Sequence, residues 1–177
     1  MTIRGGAQWN LNGFNETVLS LGFEAQGGSN GGNSPNVQTG AGILTLASGG
    51  SISATKLDDP RVIPTILGLL ALPGAVNVTV DPVTDTQVGG VNGQVGLALN
   101  ATLVNASALT KLGNGVLSLG GFSAASNTLA LNAGAVVLGT NANYRQLQVN
   151  TGPGTVLDMR GNTSLQLGSV IGSGTIK

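Results

Sequence analysis

Acidic residues give this sequence its few opportunities for chemistry, because it contains no histidine and no cysteine. Ser-His and Cys-His nucleophile pairs and an ordinary zinc site are therefore excluded. Carboxylates occur close together at Asp58 and Asp59, beside Arg61, and at Asp81 and Asp85. Polysaccharide-cleaving enzymes use paired carboxyl groups as acid and base. Both clusters adjoin a proline and are better explained as turns, so we expect no catalytic, cofactor-binding or metal-binding residue.

The composition is that of an extended β-protein. Of 177 residues, 30 are glycine, and only 8% of the residues are charged. An average protein has about 25% charged residues and about 7% glycine, so Asn, Gln, Ser and Thr must solvate this surface. The 41% of apolar residues is too high for a disordered chain. Seven basic residues are scattered and balanced by seven acidic ones, which argues against a nucleic-acid partner.

Aromatic side chains are rare, at 3% of the sequence. We expect Trp9, Phe14 and Phe23 to lie in the core, where large rings contribute most to packing. Tyr144 follows a polar stretch and precedes Arg145, so we expect it to be an exposed aromatic residue.

A glycine-led motif occurs at residues 40–46 and again at 113–119. In each copy, two glycines precede a short strand with alternating leucines. The motif residues are Gly40, Gly42, Leu44 and Leu46 in the first copy, and Gly113, Gly115, Leu117 and Leu119 in the second. A glycine turn that leads into a short alternating strand, used repeatedly, is typical of solenoid proteins.

Period-two patterns predict strands over 9–11, 17–21, 43–46, 75–80, 96–103, 116–119, 128–131, 136–138, 147–149, 156–159 and 164–167. Short strands of this kind could form an antiparallel sandwich or a parallel β-helix. The repeated sequence and the Asn-rich turns favour an all-β, right-handed parallel β-helix (solenoid), with about 20 to 25 residues in each coil. The leucines that we expect to point inward are Leu44, Leu46, Leu117, Leu119, Leu129, Leu131, Leu165 and Leu167.

Residues 54–75 depart from this pattern. Asp59 precedes a proline and could cap a short helix, and a Pro-Gly pair could end it. We therefore predict a loop or short-helix insertion over 54–75, with Ile66, Leu69 and Leu70 packed on the flank of the solenoid. The alternative is an apolar contact patch for a neighbouring domain.

Residues 108–121, with the sequence ALTKLGNGVLSLGG, resemble the autotransporter-associated β-strand repeat, also called the passenger-associated transport repeat. Leu109, Thr110 and Lys111 precede the second glycine motif within this segment. Residues 127–136, 9–17 and 157–163 are similar to neighbouring parts of such proteins. The resemblance implies a β-helical passenger region of a bacterial protein, with a repeat associated with export, and it implies no catalytic residue.

The same resemblance implies an extracellular or bacterial cell-surface location and an outer-membrane translocation barrel as a partner. Adjacent repeats of the same polypeptide, or end-to-end self-association, are further expected contacts. Residues 1–6 lack the apolar stretch of a secretory signal, so we expect residues 1–177 to be a single domain from a longer passenger.

Three functions follow from these observations. The favoured hypothesis is a structural stalk segment. The alternative is an adhesion module that binds a host or neighbouring-cell surface through loops 24–40 and 54–95. A carbohydrate-active enzyme is the third.

Overall fold

The computed structural model describes residues 1–25, 33–85, 89–90, 93–121, 127–139, 144–160 and 166–177. All regular secondary structure in this part of the chain is β-strand, with no helix. The strands are β1 (Thr2–Arg4), β2 (Gln8–Asn10), β3 (Glu16–Glu24), β4 (Asn36–Thr55), β5 (Thr65–Ala71), β6 (Ala75–Val80), β7 (Thr84–Asp85), β8 (Gly89–Gly90), β9 (Val95–Leu99), β10 (Thr102–Val104), β11 (Ala108–Leu112), β12 (Val116–Leu119), β13 (Asn127–Leu131), β14 (Ala135–Leu138), β15 (Leu147–Thr151), β16 (Val156–Asp158), β17 (Ser169–Gly172) and β18 (Thr175–Ile176).

The strands form a parallel, solenoid-like stack in which each coil pairs with the coils before and after it. What we call the front face contains β1, the second half of β3, the end of β4, β6, β11, β13, β15 and β17. The back face contains β2, the start of β4, the start of β5, β9, β12, β14, β16 and β18. The side face contains the start of β3, the middle of β4, the end of β5 and β10. Among the described strands, only β7 and β8 pair in the antiparallel direction.

The length of a coil changes along the chain. Leu109 lies beside Leu129, and Leu129 beside Val149, so these coils take 20 residues each. Ile66 lies beside Leu99, which makes that earlier coil 33 residues long. The predicted length of about 20 to 25 residues is therefore correct for the later coils and wrong for this earlier one. The insertion is absorbed at the corners, which leaves the strand pairing continuous.

Aliphatic columns fill the interior. Leu97, Leu117, Val136 and Leu157 follow one another on the back face, and each is fully buried. Fully burying one such side chain contributes about 1.5–3 kcal/mol. The expected inward position is confirmed for Leu44, Leu46, Leu117, Leu119, Leu129 and Leu131, all with 0% exposure.

Two strand predictions need correction. Residues 54–75 contain strand β5, so the predicted short helix is wrong. A short apolar run has no period that separates helix from strand, and here β4, β9 and β10 supply backbone partners on both sides. Ile66 and Leu70 point into the core, whereas Leu69 is only half-buried.

The last predicted strand is misplaced. Residues 166–168 are not strand, and the front-face strand of that coil is β17, in which Val170 lies beside Val149. Leu167 is half-buried and packs against the core from outside the strand, and Leu165 lies outside the described residues. Pairing with the preceding coil, rather than the local alternation, sets where this strand begins.

Candidate functional site

The two copies of the glycine motif lie at different corners of the coil. Gly40 and Gly42 lie within β4, where the chain passes from the back face to the side face. Gly113 and Gly115 follow β11, where the chain passes from the front face to the back face. The two copies therefore do not stack on each other, although their sequences are alike.

Both copies share a close approach to the preceding coil. A Cβ on Gly42 would collide with the carbonyl group of Phe14, and a Cβ on Gly115 would collide with that of Asp81. The N–H of Gly115 also donates to the carbonyl oxygen of Val80 at 2.9 Å. Glycine recurs because both corners bring two backbones together with no space for a side chain.

The remaining motif residues belong to the core or to its outer surface. Leu44 and Leu46 lie on the side face, whereas Leu117 and Leu119 lie on the back face. In β11, Leu109 is buried and Thr110 is half-buried on the opposite side of the strand.

Lys111 is a buried cation at the corner that follows β11. Its side chain is 0% exposed because alternation along β11 points it inward, two residues after Leu109. Its Nζ donates to the carbonyl oxygens of Leu112 at 2.8 Å, Gly113 at 2.6 Å and Ala133 at 3.2 Å. An ammonium group has three donors, so all three are used, and the side chain joins two consecutive coils.

Burial lowers the pKa of Lys111 from 10.5 to about 8, and the negative charge of Asp81 acts in the opposite direction. A lysine with a lowered pKa can act as a nucleophile or base where substrate reaches it. Here the amine is enclosed and bonded to backbone carbonyls, so it stabilises the corner. The sequence pattern that reveals this burial is the alternation from Leu109 to Lys111.

Thr151 occupies the same column two coils later, because Lys111 lies beside Leu131 and Leu131 beside Thr151. Its Oγ1 donates to the carbonyl oxygen of Ile171 at 3.2 Å and accepts from the N–H of Gly174 at 3.2 Å. Two different polar side chains therefore close the same corner from inside the solenoid.

The carboxylates that could have formed an acidic site are engaged elsewhere. Asp59 accepts bonds from Nε and Nη2 of Arg61 at 2.9 and 2.8 Å and from its backbone N–H at 2.9 Å. These hydrogen bonds from Arg61 hold the pKa of Asp59 below its usual value. Asp59 therefore closes a turn, as a turn-forming role predicts. Asp81 is half-buried, and the side chain of Asp85 lies outside the described residues.

An ion-pair ladder crosses three coils of the front face. Oε2 of Glu24 lies 2.9 Å from Nε of Arg4 and 3.0 Å from Nζ of Lys56. The hydrogen bond from Lys56 is the main cause of the lowered pKa of Glu24, and the charge of Arg4 adds to it. Sequence reasoning missed this group because only the strand register brings the three residues together.

The expectation that Tyr144 is exposed is wrong, because its side chain is only 1% exposed. Its Oη donates to the carbonyl oxygen of Leu119 at 2.7 Å and accepts from the N–H of Gly139 at 2.9 Å. Burial raises the pKa of Tyr144 to about 12. Among the other aromatic residues, Phe23 is buried as expected, whereas Phe14 is 71% exposed.

An open depression of about 340 Å³ lies on the outer side of the back face. Ala98, Ser118 and Val137 form its floor along one outward-facing row, and Asn100 and Arg160 contribute polar groups. No carboxylate lines it among the described residues, so it lacks the acid and base of a glycosidase.

Within the described ranges, no three Asp or Glu side chains form a cluster that could hold a metal ion. The described part of the chain also contains no helix with the length and apolar character required to cross a membrane. In comparisons with family models, curated proteins and solved structures, no match to this chain is found.

Proposed function

We propose that this chain is a structural stalk segment of a bacterial surface-exposed or secreted autotransporter-like protein. The observation that carries this proposal is the continuous parallel stack on the front face, from β1 to β17. Eight strand segments form that face in the described part of the chain, and a rise of about 4.8 Å per coil gives a length of roughly 34 Å. Such a stack separates its two ends by a fixed distance.

The side chains that could do chemistry support a non-catalytic role. Lys111, Thr151 and Tyr144 use their polar groups to close corners within the solenoid. Asp59 and Glu24 bind neighbouring cations. A spacer requires this commitment of polar groups to its own fold, whereas an enzyme would aim some of them at a cavity.

The proposed hand of the coil is right-handed. Each passage from a front-face strand, across the other faces, to the next front-face strand is a parallel crossover. Crossovers between parallel strands of one sheet are right-handed in about 98% of cases.

The resemblance of residues 108–121 to the passenger repeat supports the proposed location, partners and export role. In this proposal the chain lies outside the cell or on its surface, continues into adjacent repeats, and is exported with an outer-membrane translocation barrel. Contact with a host surface through loops 24–40 and 54–95 is the competing adhesion function.

Duplication of one coil tests the spacer function. Thr128 lies beside Gln148, so a second copy of residues 128–147 inserted after Leu147 adds one coil in register. We expect one cooperative unfolding transition and a rod about 4.8 Å longer in small-angle scattering. Duplication of residues 128–137 alone is the control, because half a coil breaks the register and should unfold the stack beyond it. Loss of cooperative folding in the full-coil variant would contradict the spacer function.

The adhesion function has its own test. Purified chain is applied to immobilised glycans and extracellular-matrix proteins at increasing concentration. The spacer function predicts no saturable binding. Saturable binding that is lost when exposed Arg61, in loop 54–95, is changed to Ala would favour adhesion instead.

A further inference from the structure

The first and last described coils each present unpaired strand edges. β1 and β2 pair only with the coil after them, and β17 and β18 pair only with the coil before them, among the described strands. All four strands run in the same direction as the rest of the stack. If the first coil of one molecule stacked on the last coil of another, both parallel ladders would continue.

The spacing of inward-facing residues matches between these two coils. Ile3 on the front face and Trp9 on the back face are separated by six residues. Val170 and Ile176 in the last coil are separated by six residues as well. In the preceding coil the equivalent positions, Val149 and Leu157, are separated by eight residues. The two edges therefore share a short corner that the preceding coil lacks.

The hydrogen-bonding directions also match on the front face. The carbonyl of Met1 and the N–H of Gly5 bond to the coil after them, so alternation turns the backbone groups of Thr2 and Arg4 to the open edge. In β17, the N–H of Ser173 bonds to the preceding coil, so the backbone groups of Val170 point to the open edge. Pairing Val170 with Ile3 brings these donors and acceptors opposite each other.

The back face gives the same result independently. The carbonyl of Ala7 and the N–H of Leu11 bond to the coil after them, which leaves the groups of Gln8 and Asn10 at the open edge. The N–H groups of Thr175 and Lys177 bond to the preceding coil, which leaves those of Ile176 at the edge. Pairing Ile176 with Trp9 is therefore in register.

Apolar burial favours the same contact. Ile176 is 47% exposed although it continues the buried column of Leu157, and Trp9 and Val170 are only half-buried. A stacked coil would cover all three side chains.

We propose that a second copy of this chain binds the last coil head to tail, with β1 on β17 and β2 on β18, and with Ile3 beside Val170 and Trp9 beside Ile176. The inference extends the proposed spacer function by naming its partner. It is tested separately, because the coil-duplication experiment measures folding of one chain.

Disulfide trapping tests the register. The chain has no cysteine, so an engineered pair is unique. In the proposed register Thr2 lies beside Ser169, both exposed and on the outer side of the front face. Paired Cα atoms on neighbouring strands are about 4.8 Å apart, within the range for a disulfide. Oxidation of the Thr2→Cys, Ser169→Cys double variant should give a ladder of linked dimers and longer chains.

The matched control is Arg4→Cys with Ser169→Cys, which is displaced by two residues and separates the Cα atoms by about 8 Å, too far for a disulfide. We expect at least about tenfold less cross-linking in the control. Equal cross-linking in both double variants, or in neither, would overturn the proposed register.

Trp9 provides a second measurement without cysteines, because it is the single tryptophan in the chain. Its fluorescence should shift to the blue as protein concentration rises and the ring leaves water. Ile176→Lys should weaken the association by about tenfold or more, because the charge would be buried against Trp9. Asn150→Lys, exposed in the middle of the front face, should leave it unchanged. Monomers with invariant Trp9 emission at all concentrations would overturn the proposal.

Discussion

The Nζ of Lys111 lies 2.6 Å from the carbonyl oxygen of Gly113, inside the corner that the glycine motif builds. The glycine brings two coils together, and the lysine then bonds to carbonyls of both. A buried cation costs desolvation energy, which charge-assisted hydrogen bonds to the three carbonyls offset. The two residues of the motif therefore act together at one corner.

Stability should rise with pH above about pH 8 because of Lys111. Its pKa in the folded chain is about 8, below the ordinary value of 10.5. Between these values the unfolded chain binds more protons, so the free energy of unfolding increases with pH, by at most about 3 kcal/mol. Urea unfolding measured from about pH 7 to about pH 10 checks this.

Lys111→Met should remove this rise while keeping most of the buried volume. Lys56→Met is the control, because the Lys56 side chain is 51% exposed. A wild-type profile that is flat over the same range, or a rise that survives in Lys111→Met, would show that Lys111 does not lose its proton there.

Tyr144→Phe should destabilise the chain by about 1–3 kcal/mol, because the carbonyl of Leu119 and the N–H of Gly139 lose their buried partner. Denaturant unfolding at neutral pH measures this loss. The native pKa lies near 12, above the ordinary value of 10, so the stabilisation is present below about pH 10 and is lost as the pH rises to about 12. Tyr144 is the single tyrosine, so tyrosinate absorbance reports it directly. A midpoint near the ordinary value would contradict its burial.

Local sequence patterns predict much of this fold. Alternation identifies the fully buried Leu117 and Leu119, and it would also have identified Lys111 as inward-facing. Alternation along a strand needs only neighbouring residues to be read. It misled at β5, where a short apolar run is compatible with helix or strand and where pairing with other coils decided the outcome.

The polar contacts between coils could not be predicted in the same way. Arg4, Glu24 and Lys56 meet only because coils of different lengths place them in one row. Tyr144 follows a polar segment, and its burial depends on a carbonyl that lies 25 residues earlier in the chain. Such contacts depend on register, which a single sequence does not specify when the coil length varies.

Gly115→Ala should destabilise the chain by several kcal/mol, because the new Cβ would collide with the carbonyl group of Asp81 in the preceding coil. Gly22→Ala is the matched control, since its Cβ would meet nothing closer than 3.4 Å, and it should change stability by less than about 1 kcal/mol. Thermal and urea unfolding of both variants test the difference. Equal stability of the two variants would mean that the corner can open to accept a side chain.

Leu117→Asp should be the most damaging of these changes. Leu117 is fully buried between Leu97 and Val136 in the back-face column, so the carboxylate would lie among aliphatic side chains without a partner. Unpaired burial of a charge, together with the lost apolar contacts, should cost at least about 4 kcal/mol. Ser118→Asp changes the next residue of the same strand, whose side chain faces outward, and should cost less than about 1 kcal/mol. The comparison requires only the unfolding midpoint of each variant. A Leu117→Asp variant that unfolds at the same midpoint as Ser118→Asp would show that Leu117 does not point into the solenoid.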